Sequence, residues 1–133
     1  KIRVWHAWVE ADLRRTRMLR TPVGRPRQLF VRWNDDLLRE AYAHVPQSTV
    51  ADILNRGLVD LYQTLKHTDH EAHLVLTVHD SVVVECRLSH VAPVARLMVR
   101  CLERPLTIRH RECLIPCDLK QGPSWADLEP YHG

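Results

Sequence analysis

Leu74-Val75-Leu76-Thr77-Val78-His79-Asp80-Ser81-Val82-Val83-Val84-Glu85-Cys86 is the stretch around which this 133-residue chain is organised. Two runs rich in valine and leucine flank a polar break at His79-Asp80-Ser81. Apolar, β-branched runs bounded by a polar turn predict the two strands of a hairpin. The break is short enough to require a tight turn, so the strands are antiparallel neighbours. Little polar alternation in Leu74 to Val78 or Val82 to Val84 suggests burial on both faces. Asp80 falls at the tip. Aspartate suits a tight turn because its side chain bonds nearby amides. A carboxylate held on stiff strands also suits a hard divalent cation such as magnesium. Spacing alone leaves both readings open.

Val78-His79-Asp80 inside a valine-rich hairpin resembles motif C of the family A DNA polymerases, which reads Val-His-Asp-Glu. There the aspartate is one of two palm carboxylates that bind the catalytic metals. The resemblance therefore implies that Asp80 is a catalytic metal ligand and that His79 stands beside it in the catalytic site. The chain departs from the motif at Ser81, where the family usually has glutamate.

Working toward the N-terminus, Gln47 to Lys66 carries Val50, Ile53, Leu54, Leu58, Leu61 and Leu65 on one stripe, the pattern of a long amphipathic helix. Its apolar face is expected to lie against the hairpin. Asn34 is a candidate N-cap, with Asp35 and Asp36 well placed against the helix dipole. That helix is predicted to reach about His44, with Pro46 breaking or restarting it. Arg39-Glu40-Ala41-Tyr42-Ala43-His44-Val45-Pro46-Gln47-Ser48-Thr49-Val50-Ala51-Asp52 is similar to the family pattern Arg-x-x-x-Asn-x-Pro-x-Gln-Gly-Thr-x-x-Asp. Ala43 stands for the usual asparagine, the proline is displaced to Pro46, and Ser48 stands for glycine. By position, the resemblance gives Arg39 and Gln47 the duplex-contacting roles. Minor-groove acceptors are nearly independent of sequence, so donors of this kind check pairing geometry without reading bases.

Thr21-Pro22-Val23-Gly24-Arg25-Pro26-Arg27 punctuates the chain further upstream. It resembles the Thr-x-x-Gly-Arg-x-Arg segment that links fingers to palm in the same family, which makes Arg25 and Arg27 candidate nucleic-acid contacts. Leu29 to Trp33 is a candidate short strand. Val4 to Arg20, with Trp5, Trp8, Val9, Leu13 and Leu19 among arginines, predicts an amphipathic helix with a basic outer face. Nine arginines lie between Arg3 and Arg39, six of them from Arg14 to Arg27. Such clusters suit a phosphate backbone, and a solvated arginine-rich helix face looks the same.

On the other side of the hairpin, Ser89 is a candidate cap for a helix from about Val91 to Glu103, with Pro93 in its first turn. Pro105 ends it. Leu106 to Ile108 and Cys113 to Leu119 read as strands, one bent or two short. The closing Gly122-Pro123-Ser124-Trp125 is similar to the Gly-x-x-Trp element near the family's C-terminus. His67 to His73 reads as a solvated polar loop. His110, Cys113 and Cys117 lack the paired spacing of a structural zinc site. Reduced, partly buried thiols are the expectation for the four cysteines.

The composition, 45% apolar and 26% charged with a net charge of +3, is that of a soluble domain or a piece of one. No apolar run is long enough to span a bilayer, and the expectation is an intracellular, cytoplasmic protein of bacterial or phage origin, with an organelle left open. The resemblance implies an α+β fold, part of a polymerase palm, in which the antiparallel hairpin bearing His79-Asp80 packs against long helices. Its parts are the helix and Gly-Arg loop (1–33), the Gln47 helices (34–66), the hairpin (73–87) and the C-terminal helix, strand and tail (88–133). It also implies DNA-directed DNA polymerase chemistry with two magnesium ions, and primer–template DNA and deoxynucleoside triphosphates as partners. Neither the family's motif A, Asp-Tyr-Ser-x-Ile-Glu, nor its fingers helix (motif B) occurs in the 133 residues. Those parts are expected on a second chain of a split polymerase or in a segment outside this sequence. The isolated chain is then expected to be inactive. The alternative is a non-catalytic DNA-binding or accessory protein derived from the same palm.

Overall fold

The computed structural model describes residues 1–108 and 110–133. Its elements run α1 (Ile2–Thr16), β1 (Met18–Arg20), β2 (Pro26–Gln28), α2 (Asp35–Lys66), β3 (Ala72–Val78), β4 (Ser81–Cys86), α3 (Val91–Leu102), β5 (Leu106–Ile108), β6 (Arg111–Cys113), β7 (Lys120–Gln121) and β8 (Glu129–Pro130). The class is α+β, and the described strands pair as successive antiparallel two-stranded sheets. The chain divides into two compact units, Lys1–Asp52 and Ile53–Gly133, with α2 passing from one to the other.

In the first unit α1 ends at Arg17, whose φ of 55° is left-handed, and the chain turns at once into β1. Residues 18–20 are therefore strand rather than the end of the helix. Their partner is Pro26–Gln28, with Leu19 opposite Arg27. The strand expected at Leu29 to Trp33 lies earlier in the chain, because the loop from Thr21 to Arg25 closes on itself. Gly24 N–H donates to Thr21 O at 2.8 Å and Thr21 N–H to Arg25 O at 3.0 Å. Gly24 has φ 95°, a backbone state that only glycine enters freely. Val9, Leu13, Leu19, Leu29, Leu37, Ala41 and Val45 form the core here, flanked by Trp5, Leu38 and Tyr42.

Asn34 caps α2 as expected, its Oδ1 accepting from Leu37 N–H at 2.8 Å. Pro46, however, neither breaks nor restarts the helix, which is continuous from Asp35 to Lys66. An internal proline removes one helix hydrogen bond and crowds the preceding turn, at about 3 kcal/mol or more. Tertiary burial outweighs that cost, since Val45 and Thr49 on either side are buried.

In the second unit Leu61, Leu65 and Cys101 form the core, with Ala72, Leu74, Val82, Val84, Leu97 and Met98 packed against it. The apolar stripe of α2 thus meets the hairpin, as its periodicity predicts. Gly57 permits the approach of α3: a Cβ there would stand 2.8 Å from the Cys101 carbonyl. A bulge between Leu74 and Leu76 leaves Val75 as an extra residue. The parity therefore changes, so that Ala72, Leu74 and Thr77 line up with Cys86, Val84 and Val82. On this face Ala72, Leu74, Val82 and Val84 pack on the core, whereas Thr77 nearer the tip is exposed. Val75 and Leu76 on the remaining surface are exposed, which corrects the expectation of burial on both faces. The bulge breaks the alternation in β3, while Val82, Val83 and Val84 of β4 are all half-buried.

α3 begins at Val91 after a single 3-10 turn (Leu88–His90), and Ser89 lies in that turn instead of capping the helix. Cys113 to Leu119 is mostly irregular, with pairing confined to β5–β6 and β7–β8.

Candidate functional site

The hairpin turn consists of two residues, His79 and Asp80, because Ser81 already belongs to β4 and pairs with Val78. His79 has φ 53°, in the left-handed region that tight two-residue hairpins demand. The Ser81 hydroxyl donates to Val78 O at 2.8 Å and so closes the turn from below. His79 and Asp80 are both exposed at the tip. Neither side chain has a hydrogen bond or ion pair among the described residues. Leu74, Val82 and Val84 seat the strands on Leu61 and Leu65, which anchors the turn that carries Asp80.

Asp80 offers hard oxygen donors of the kind magnesium prefers. Among the described residues there is no cluster of three or more His, Cys, Asp or Glu side chains able to hold a metal. The described residues therefore do not by themselves complete a metal site around Asp80. His110, Cys113 and Cys117 form no such cluster among the described residues either. The cysteines are free. Burial pushes the Cys86 thiol up; burial together with Glu103 and Asp118 does the same at Cys117.

The other candidate residues lie in the first unit, on three rows of α2 that follow the i, i+4 repeat. Leu37, Ala41, Val45 and Thr49 form the buried row. Arg39, Ala43, Gln47 and Ala51 form a row whose Arg39 and Gln47 are exposed, about 12 Å apart along the helix axis. Between those rows run Glu40, His44, Ser48 and Asp52, and onto them the Gly-Arg loop is clasped. Arg25 Nε pairs with Asp52 Oδ1 at 2.6 Å, and its Nη2 donates to Ser48 O at 3.2 Å. The Thr21 hydroxyl donates to Asp52 Oδ2 at 2.8 Å and accepts from Arg25 N–H at 3.2 Å. Arg27 pairs with Glu40 and donates to His44 Nδ1 at 3.2 Å. The Ser48 hydroxyl meets the same nitrogen at 3.0 Å.

A guanidinium has no lone pair, so His44 Nδ1 must be the acceptor and the ring is neutral with its proton on Nε2. Burial, then Arg27 and Arg25, hold the His44 pKa below its ordinary value. Arg25 and Arg27, expected as nucleic-acid contacts, thus sit in ion pairs within the chain, each about half exposed. Arg39 pairs with Asp36 at 2.5 Å on the open surface. Sequence reasoning gave no role to His44 or Asp52. Their four-residue spacing with Glu40 and Ser48 was visible, but the loop that answers them comes from elsewhere in the chain.

A family model, that of DNA polymerase family A, matches residues 1–127. DNA polymerase theta of Caenorhabditis elegans is 33% identical over 93 residues, which are 68% of this chain and 6% of that protein. DNA polymerase I of Chloroflexus aurantiacus is 30% identical over 94 residues, 69% of this chain and 10% of that protein. The chain therefore spans a tenth or less of the length of these relatives. Among solved structures, the polymerase domain of Pol1 from M. smegmatis, in complex with DNA primer-template and dNTP, superposes with a TM-score of 0.70. That match covers 78% of this chain and 20% of the other, and at 22% identity it is a likeness of fold.

Proposed function

The chain belongs to DNA polymerase family A, and we propose that it forms the C-terminal part of the palm in a DNA-directed DNA polymerase. The observation that carries this reading is the hairpin tip, where an exposed carboxylate without a partner among the described residues is carried by two anchored strands. In this role Asp80 would hold a magnesium ion together with a carboxylate from outside these 133 residues. The chemistry the metal supplies when bound is Lewis-acid: a more acidic primer 3′-hydroxyl and charge compensation at the leaving pyrophosphate. His79, fixed in the left-handed turn, steadies Asp80 or the primer end. Gln47 and Arg39, on the exposed row of α2, present donors to the minor groove and sugar–phosphate edge of a primer–template duplex. The neighbouring Pol1 domain, described with primer-template and dNTP, supports those partners.

Motif A and the fingers must come from elsewhere, on the same polypeptide or on a second chain. The 133 residues by themselves should extend no primer with magnesium or manganese. The decisive measurement uses the assembled polymerase, meaning this segment together with motif A and fingers. Asp80→Asn keeps the side-chain shape and removes the charge. It should slow extension about 10²-fold or more, with primer–template affinity nearly unchanged, as expected for loss of a major electrostatic stabiliser. Wild-type extension by Asp80→Asn would instead remove the metal role of Asp80 and leave the hairpin as a structural turn.

A further inference from the structure

The clasp between the Gly-Arg loop and α2 is built more completely than a surface loop requires. Thr21, His44 and Asp52 are buried polar residues, and no buried side-chain nitrogen or oxygen among the described residues lacks a partner. Each end of the loop is tied. Thr21 at its start and Arg25 at its end both reach the same carboxylate, Asp52, through different oxygens. Thr21 takes part in both backbone hydrogen bonds that close the loop on itself, with Arg25 as its partner in one and Gly24 in the other. Removing Asp52 would release both ends at once.

Helix geometry says what those ties control. The clasped row lies about 60° round α2 from the buried row, and the row with Arg39 and Gln47 lies about 100° further on. Core packing alone leaves a helix free to roll by small angles, since aliphatic contacts are not directional. Hydrogen bonds and an ion pair are directional and fix the roll. Ser48, the immediate neighbour of Gln47, is held through its carbonyl by Arg25 and through its hydroxyl by His44. Pro46, the neighbour on the other side, removes a helix hydrogen bond where the backbone would otherwise be stiffest. The clasp supplies the rigidity that the proline takes away.

We infer that Asp52, with Thr21 and Arg25, is a positioning device that sets the angle at which Gln47 meets the primer–template duplex. This rests on the duplex-facing role proposed above for Gln47. Asp52 touches no substrate in this scheme and acts through Gln47. Arg25 does the same, so its guanidinium serves the protein more than the phosphate backbone.

The test is a double-mutant cycle on primer extension in the assembled polymerase, with thermal midpoints recorded for every variant. Asp52→Asn keeps an acceptor for Thr21 and loses the charge that holds Arg25. Arg25→Gln is the second variant, in case Asp52→Asn folds poorly. Each should slow extension by about tenfold, less than the 10²-fold that a 1 Å misplacement can cost. In a Gln47→Ala background neither should slow it further, because the group being positioned is gone. Multiplying losses in the double variants would overturn the inference, as would wild-type extension by both single variants when Gln47→Ala is impaired. Wild-type extension by Gln47→Ala would remove the duplex-facing role itself, and the positioning role with it. In that case a lowered thermal midpoint in Asp52→Asn would mark the clasp as a structural tie only.

Discussion

The chain has two aspartates at strategic places, and their surroundings are opposite. Asp52 sits in the first unit with its side chain 10% exposed, and both carboxylate oxygens are engaged by Arg25 and Thr21. Asp80 sits in the second unit on an exposed two-residue turn, with no partner among the described residues. A buried carboxylate must be answered from within the protein, because desolvation otherwise makes it costly. An exposed one can remain unanswered, and it is then available to a cation or a substrate. The contrast separates charge that builds the fold from charge that the fold presents.

Placing the same substitution at both positions tests that separation most sharply. Asp80→Asn should give the 10²-fold loss of extension with a thermal midpoint close to wild type, since an exposed group without partners contributes within about 0.5 kcal/mol. Asp52→Asn should do the reverse, lowering the midpoint clearly and the rate more modestly. If the two variants behaved alike in both measurements, the comparison would break. The next effect in size belongs to Arg25→Ala. It leaves the Asp52 carboxylate with Thr21 alone, at a cost of about 1–3 kcal/mol of stability for a buried group partly unsatisfied. Chemical denaturation would check this, and a change below the error of the midpoint would contradict the clasp.

A pH series sharpens the same point at His44. Its folded pKa lies below the ordinary 6.5, through burial first and then Arg27 and Arg25, against the opposing influence of Glu40 and Asp52. The unfolded chain therefore takes up a proton that the folded chain refuses. Stability is fully present above the unfolded value and is lost as pH falls below it. Thermal midpoints should drop as pH falls through the unfolded value of about 6.5, and His44→Gln should lose part of that dependence. A midpoint independent of pH there would place His44 outside the clasp. The smallest effect is expected at the hairpin. Ser81→Ala loses one exposed hydrogen bond to Val78 O, worth about 1 kcal/mol or less. Ser81→Glu, which restores the usual residue of motif C, should extend primers at least as well as wild type. A large loss from Ser81→Ala would mean that the turn depends on its hydroxyl more than on His79.

The sequence by itself determined the hairpin, its polar turn, the stripe of α2 that packs on it, the Asn34 cap and the family. The elements follow from local periodicity and turn chemistry, which neighbouring residues set between themselves; the family follows from the resemblance of the Val78-His79-Asp80 and Arg39–Asp52 motifs, and the family model matches residues 1–127. Tertiary structure alone decided three things. It carried α2 straight through Pro46, since burial of Val45 and Thr49 outweighs one missing hydrogen bond. It put a bulge at Val75, which a valine-rich run cannot signal because apolar residues look alike on either face. It also set Arg25 and Arg27 against carboxylates of α2, where the sequence shows only a basic loop. Their partners lie 27 and 13 positions away on α2, at Asp52 and Glu40. An arginine reads the same in sequence whether it meets a phosphate or a carboxylate. Only the fold brings the carboxylate within reach.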